Sequence, residues 1–213
     1  MRTAHPESPV TRHLPVGAEI VNEGTDFRVW APKRRRVRAR LEETSEIVEL
    51  APEEDGYFSG FSASTRPGVR YRFLLDEDEQ QYPDPASRFQ PEGPHGPSEI
   101  VDPRAFAWTD DAWGGIDARG QVIYEMHIGS FTREGTWQAA GAQLQELQAA
   151  GITAIEVMPI AAFAGRWGWG YDGVNLFAPT RNYGSPDDLR RFIDEAHRLG
   201  LGVILDVVYN HFG

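Results

Sequence analysis

Polar and apolar residues alternate in three short runs near the start of the chain. The first is Asp26-Phe27-Arg28-Val29-Trp30, the second Arg36-Val37-Arg38-Ala39-Arg40-Leu41, and the third Val69-Arg70-Tyr71-Arg72-Phe73-Leu74. A period of two puts every other side chain on one face of an extended backbone, so each run predicts a half-buried strand. Turn signals separate the runs at Asn22-Glu23-Gly24, Glu54-Asp55-Gly56 and Arg66-Pro67-Gly68. Short strands with frequent turns predict an immunoglobulin-like β-sandwich over residues 16–105, preceded by a polar tail at 1–15.

The stretch YPDPASRFQPEGPHGPSEIVD, residues 82–102, is rich in proline and glycine. A disordered linker has that composition, and so does an ordered loop lying against a neighbouring domain. Its aromatic and charged residues favour the ordered loop. Trp108 and Trp113 then stand in a second connection, residues 106–120.

From Gln121 the texture changes. Val122-Ile123-Tyr124 predicts a short apolar strand. Residues 136–150 carry Trp137, Ala140, Leu144 and Leu147 at helical spacing, with Thr136 as cap and Gly151 as stop. Residues 152–158 predict a second buried strand. Residues 186–199 are the clearest helix: Ser185 caps it, Pro186 fits its first turn, Asp187 and Asp188 suit its dipole, and Gly200 closes it. Residues 203–208 predict a third buried strand. Alternating apolar strands and helices imply parallel strands covered on both faces. A doubly wound sheet and a (β/α)8 barrel both begin this way. A complete barrel takes ~250 residues, so residues 121–213 would hold three strands and two helices of a truncated one. The fold class expected is thus multidomain, β plus α/β. A barrel cut there leaves an open strand edge and bare apolar faces, and such a fragment is expected to aggregate.

Charge narrows the partners. The formal net charge is −11, which disfavours nucleic acid, since phosphate rewards a basic surface. The basic run Lys33 to Arg40 alternates with Val37 and Ala39, as a solvated strand face would. The chain has no cysteine, which excludes disulfides, thiolate metal sites and a cysteine nucleophile. No apolar run approaches the ~20 residues a membrane helix needs, and residues 1–17 lack a signal-peptide core. A cytoplasmic protein without membrane contact is expected. Neither a G-x-G-x-x-G nor a G-x-x-x-x-G-K-[ST] phosphate loop is present, nor a G-x-S-x-G elbow. The six histidines are scattered, so no metal and no cofactor are expected.

The chemistry lies at strand ends. The third strand runs into Asp206-Val207-Val208-Tyr209-Asn210-His211. A carboxylate in an apolar run needs a cation or several donors, so Asp206 is either a structural ion pair or part of a site. Asn210 and His211 would stand at the rim, able to hydrogen-bond hydroxyls. After the second strand comes Arg166-Trp167-Gly168-Trp169-Gly170-Tyr171-Asp172-Gly173. Pyranose rings have apolar C–H faces, so sugar sites pair aromatic platforms with polar groups. Trp167 and Trp169 fit such a platform or a packed aromatic cluster equally well; Tyr171 favours the site.

At this point a resemblance becomes specific. WGWGYDGVNLFAPTRNYGSPDDLRRFIDEAHRLGLGVILDVVYNHFG, residues 167–213, resembles the alpha-amylase family of glycoside hydrolases. PDPASRFQPEGPHGPSEIVDP, residues 83–103, and YEMHIGSFTREGTW, residues 124–137, are similar to the family's trehalose-releasing members. Those hydrolyse the α-1,4 bond next to a terminal trehalose in maltooligosyltrehalose. Glycogen branching enzymes share the layout and the W-G-Y motif, and stand as the alternative, beside a non-catalytic glucan-binding module. The resemblance implies that Tyr171 stacks on the sugar before the scissile bond and that His211 hydrogen-bonds its hydroxyls. It implies that Asp206 holds an active-site arginine and that Asn210 orders the adjoining loop. By the same resemblance Asp172 would be a rim contact, and Trp169 stands as a candidate platform residue. Asn210 ligates calcium in some relatives, but no calcium is expected here. The sandwich would brace the barrel more than bind glucan. The family's nucleophile and acid/base stand ~5 Å apart, and the resemblance places both beyond Gly213. Glu125, Glu156 and Asp194 match none of these positions. The 213 residues alone are expected to cleave nothing.

Overall fold

The computed structural model describes residues 12–210. Eight antiparallel strands come first: β1 Gly17–Val21, β2 Gly24–Trp30, β3 Val37–Leu41, β4 Ile47–Pro52, β5 Tyr57–Ser62, β6 Arg70–Leu75, β7 Gln81–Tyr82 and β8 Ser98–Glu99. They form one continuous sheet in the order β1-β2-β5-β4-β3-β6-β7, with β8 also on β6. Strands β2, β3 and β6 are those the alternation predicts. In β3, Val37, Ala39 and Leu41 point inward while Arg38 and Arg40 point out. The sheet folds over on itself. β2 and β6 are four places apart, ~19 Å in a flat sheet, yet the Phe27 and Tyr71 rings meet edge to face at 5.0 Å. One apolar core spans both halves.

The basic run leads into β3 and continues on its outer face. Arg36 pairs with Glu49 on β4 and with Glu77, and Arg34 reaches Asp76 and Asp78. Such exposed pairs contribute little stability each; they offset the charge of Arg34 and Arg36. The last residues of the expected tail are fixed. The Arg12 guanidinium donates to the Asp26 carboxylate and to the carbonyls of Leu14, Gly17 and Asp26.

The proline-rich stretch is ordered and partly buried. Asp84, Ser87, Gln90 and Ser98 are inaccessible to solvent in effect. The Asp84 carboxylate accepts from the Tyr71 hydroxyl at 2.5 Å and from the Ala86 N–H at 2.7 Å. Residues 106–120 then run as irregular chain across a helix, where Thr109 donates to Asp194 and Trp113 stacks on His197.

The remainder alternates: β9 Ile123–Met126, α1 Ile128–Phe131, α2 Trp137–Gly141, α3 Leu144–Ala149, β10 Ala154–Val157, β11 Ala161–Ala162, β12 Asn175–Pro179, α4 Pro186–Arg198 and β13 Gly202–Leu205. β9, β10 and β13 are parallel neighbours. Helices α2 and α4 pack on the same face, Trp137 against Phe192 at 5.4 Å, over a second core.

Three expectations are corrected. The helix over 136–150 is two helices, broken after Gly141, the poorest helix former in the stretch. The parallel strands are covered on one face among the described residues, not on both. Ile123, Glu125, Glu156 and Ile204 point away from the helices by register, and Ile123 is 52% exposed. The third strand ends at Leu205. The Asp206 N–H still donates to the Val157 carbonyl at 2.9 Å, but the chain then leaves the sheet, so Asp206 is half-buried and not within a buried run.

Candidate functional site

Parallel strands bring their carboxyl ends to one edge. His127 follows β9, the segment from Met158 follows β10, and Asp206 to Asn210 follow β13. The short antiparallel pair of β11 and β12 pinches the base of a loop, residues 163–174. Between this base and the end of β13 lies a cavity of about 240 Å³, lined by Ile160, Gly170, Leu176, Leu189, Leu205 and Asp206 among others. It has an apolar floor with a carboxylate at its edge. No hydrogen bond or ion pair from the described residues reaches the Asp206 carboxylate.

The loop turns Gly168 and Gly170 in and Trp167, Trp169 and Tyr171 out. A Cβ on Gly168 would press on the Phe163 ring, and one on Gly170, where φ is +82°, would overlap the Pro159 carbonyl. Trp167 and Trp169 are 77% and 69% exposed and Tyr171 is 42% exposed. The two tryptophans are therefore not a packed cluster. Arg166 lies over the Trp167 ring at 4.9 Å.

Of the residues singled out from sequence, Asp206 lines the cavity, and Gly170 in its wall carries Trp169 and Tyr171 on either side. Asp172 and Asn210 are exposed. His211 lies outside the described residues. No group of three His, Asp or Glu side chains among the described residues is gathered as a metal ion would need.

Two residues at the site carried no assignment from sequence. His127 Nε2 lies 3.0 Å from the Gly168 carbonyl and 2.9 Å from the Tyr183 hydroxyl, and Nδ1 lies 2.8 Å from Ser130 Oγ. Burial pushes the Tyr183 phenol up to about 12, so it is a neutral hydroxyl. Its signal was present: His127 stands directly after a strand end. Asn175, on β12, donates through Nδ2 to the buried Asp84 carbonyl at 3.0 Å. This bond ties the proline-rich stretch to the base of the aromatic loop. That carbonyl also accepts from the Ser87 N–H at 3.0 Å, so Asn175→Ala removes one of its two donors and is expected to cost about 1 kcal/mol, read from urea unfolding. Asn175→Asp sets an acceptor against an acceptor and should cost more. Equal stability of all three proteins would remove the bond from the fold's support.

Residues 80–213 match the model of the alpha amylase catalytic domain. The chain is 47% identical over 197 residues to malto-oligosyltrehalose trehalohydrolase of Saccharolobus solfataricus, an alignment covering 92% of this chain and 35% of that protein. It is 34% identical over 220 residues to a 1,4-alpha-glucan branching enzyme of Xanthomonas oryzae, covering 92% and 30%. A crystal structure of a candidate alpha amylase from Salmonella typhimurium superposes with a TM-score of 0.89 at 46% identity, covering 93% of this chain and 34% of that one. The chain thus spans about a third of the length of each of these three proteins.

Proposed function

The chain belongs to the alpha-amylase family, and from that membership we propose that it is the substrate-binding part of a cytoplasmic, retaining α-glucan hydrolase. The complete enzyme cleaves the α-1,4 bond next to a terminal trehalose in maltooligosyltrehalose and releases trehalose. The higher identity to the trehalohydrolase than to the branching enzyme, 47% against 34%, supports hydrolysis over branch transfer. In this proposal residues 16–105 are an immunoglobulin-like brace, and residues 121–213 open a (β/α)8 barrel. The carboxylate nucleophile and the acid/base belong to sequence outside these 213 residues.

The observation that carries the proposal is the aromatic loop. Trp167, Trp169 and Tyr171 stand in solvent beside a cavity at the strands' carboxyl ends, where barrel enzymes build their sites. Tyr171 stacks on the apolar face of the sugar before the scissile bond, and Trp169 extends the platform. Asp206, without a side-chain partner among the described residues, holds an arginine supplied by the rest of the barrel. His211 hydrogen-bonds sugar hydroxyls, Asn210 orders the loop that carries it, and Asp172 completes the rim.

The test is the complete protein assayed for trehalose release from maltooligosyltrehalose, against branch formation on amylose. Tyr171→Ala removes apolar contact of about 1–2 kcal/mol and should raise KM about tenfold. Branch formation without trehalose release would replace hydrolysis by transfer. An unchanged KM would take Tyr171 out of the site.

A further inference from the structure

We propose that His127 is a positioning residue that sets where Trp167 and Trp169 stand, by holding the carbonyl of the glycine between them. Its consequence for binding rests on the aromatic loop being the sugar platform. No backbone–backbone hydrogen bond ties residues 163–173 among the described residues. Side chains do the tying: Asn182 Nδ2 donates to the carbonyls of Gly165 and Arg166 at 3.2 and 3.3 Å, and His127 meets Gly168.

The chemistry at His127 has one consistent arrangement for a neutral ring. A carbonyl oxygen only accepts, so Nε2 carries the proton and donates to Gly168. Nδ1 is then the lone-pair nitrogen and accepts from the Ser130 hydroxyl. The Tyr183 oxygen faces the same N–H, and its own proton is free to turn to the Gly168 carbonyl, 3.5 Å away. Glycine at 168 lets the chain pass close to the Phe163 ring, which a Cβ there would approach to 3.0 Å. His127 itself is held at the exit of β9 by the strand pairing of Met126 with Val157. A rigid strand end thus reaches the middle of a loop that no backbone–backbone hydrogen bond holds among the described residues.

Two substitutions in the complete protein separate this role from general support. Glutamine places its amide nitrogen near the Nε2 position and restores the bond to Gly168. Asparagine reaches only the Nδ1 position, so it keeps Ser130 and loses Gly168. One readout needs no sugar: the rate of tryptic cleavage after Arg166. The other is maltoheptaose binding, followed by tryptophan fluorescence. H127N is expected to speed cleavage and weaken maltoheptaose binding, each by roughly tenfold, with H127Q close to wild type. Normal cleavage in H127N would overturn the proposal, and so would H127Q as impaired as H127N at equal thermal stability. Fast cleavage in H127N with unchanged maltoheptaose binding would keep His127 as the loop's anchor and sink the sugar platform instead.

Discussion

Gly170→Ala is expected to displace the aromatic loop and lower stability by about 3–5 kcal/mol, whereas Gly165→Ala, five residues earlier in the same loop, should cost about 1 kcal/mol. Both glycines have positive φ, +82° at Gly170 and +84° at Gly165. Alanine at either bears the left-handed backbone cost. The surroundings differ. A Cβ on Gly165 would meet open space, while one on Gly170 would overlap the Pro159 carbonyl at the exit of β10. Neither group can yield without moving the chain, since Pro159 is buried beside the strand end. Relief requires the loop to lift, which carries Trp169 and Tyr171 away from the cavity that Gly170 helps to line. Urea unfolding and maltoheptaose binding of the two variants measure the difference. Gly170→Ala with the stability and affinity of Gly165→Ala would mean the close approach to Pro159 does not hold the loop.

The W-G-W-G-Y spacing made this loop legible before its geometry was known, because glycine and aromatic residues alternate as an inward and an outward face do. The capping of α4 was legible for a similar reason. Ser185 accepts from the Asp188 N–H, and Asp188 reaches back to the Ser185 N–H, both within one turn. Strands β4 and β5 were harder to read. β4 has only Val48 and Leu50 facing inward, and β5 is interrupted by Ser59 and Gly60. The expected burial of Asp206 failed because an apolar run, Val203 to Val208, outlasts the strand that uses it. His127 and Asn175 were missed for a deeper reason. Each bonds a main-chain carbonyl, 41 and 91 positions away. Every residue has a carbonyl, so the partner leaves no trace in residue type. Pairs of side chains advertise each other in a sequence; a side chain bound to backbone does not.

Tyr71→Phe is expected to cost about 3 kcal/mol at neutral pH and about 1 kcal/mol near pH 4. Phenylalanine keeps the ring against Phe27 and Phe73, so the change removes only the hydroxyl that donates to Asp84 at 2.5 Å. Burial pushes the Asp84 carboxyl up from its ordinary 3.8, against the Tyr71 hydroxyl and the Ala86 N–H, which favour the carboxylate. A folded-state pKa above the unfolded one means that the native state takes up this proton first. Its contribution to stability is full below the ordinary value and declines as pH rises through the raised one. Without the hydroxyl the carboxylate is worse off, its pKa rises further, and the decline extends to higher pH. The penalty of the substitution therefore grows from acid to neutral pH. Glu53, held down by the Arg28 side chain, and Glu195, held down by Arg198, run the opposite way, but they cancel in the difference between variant and wild type. Urea unfolding of both proteins at the two pH values gives that difference. A penalty independent of pH would mean Asp84 does not ionise in the native state over this range. A growing penalty would place a buried charge directly behind the carbonyl that Asn175 grips, so that the stability of the β-sheet and the seating of the aromatic loop respond to the same proton.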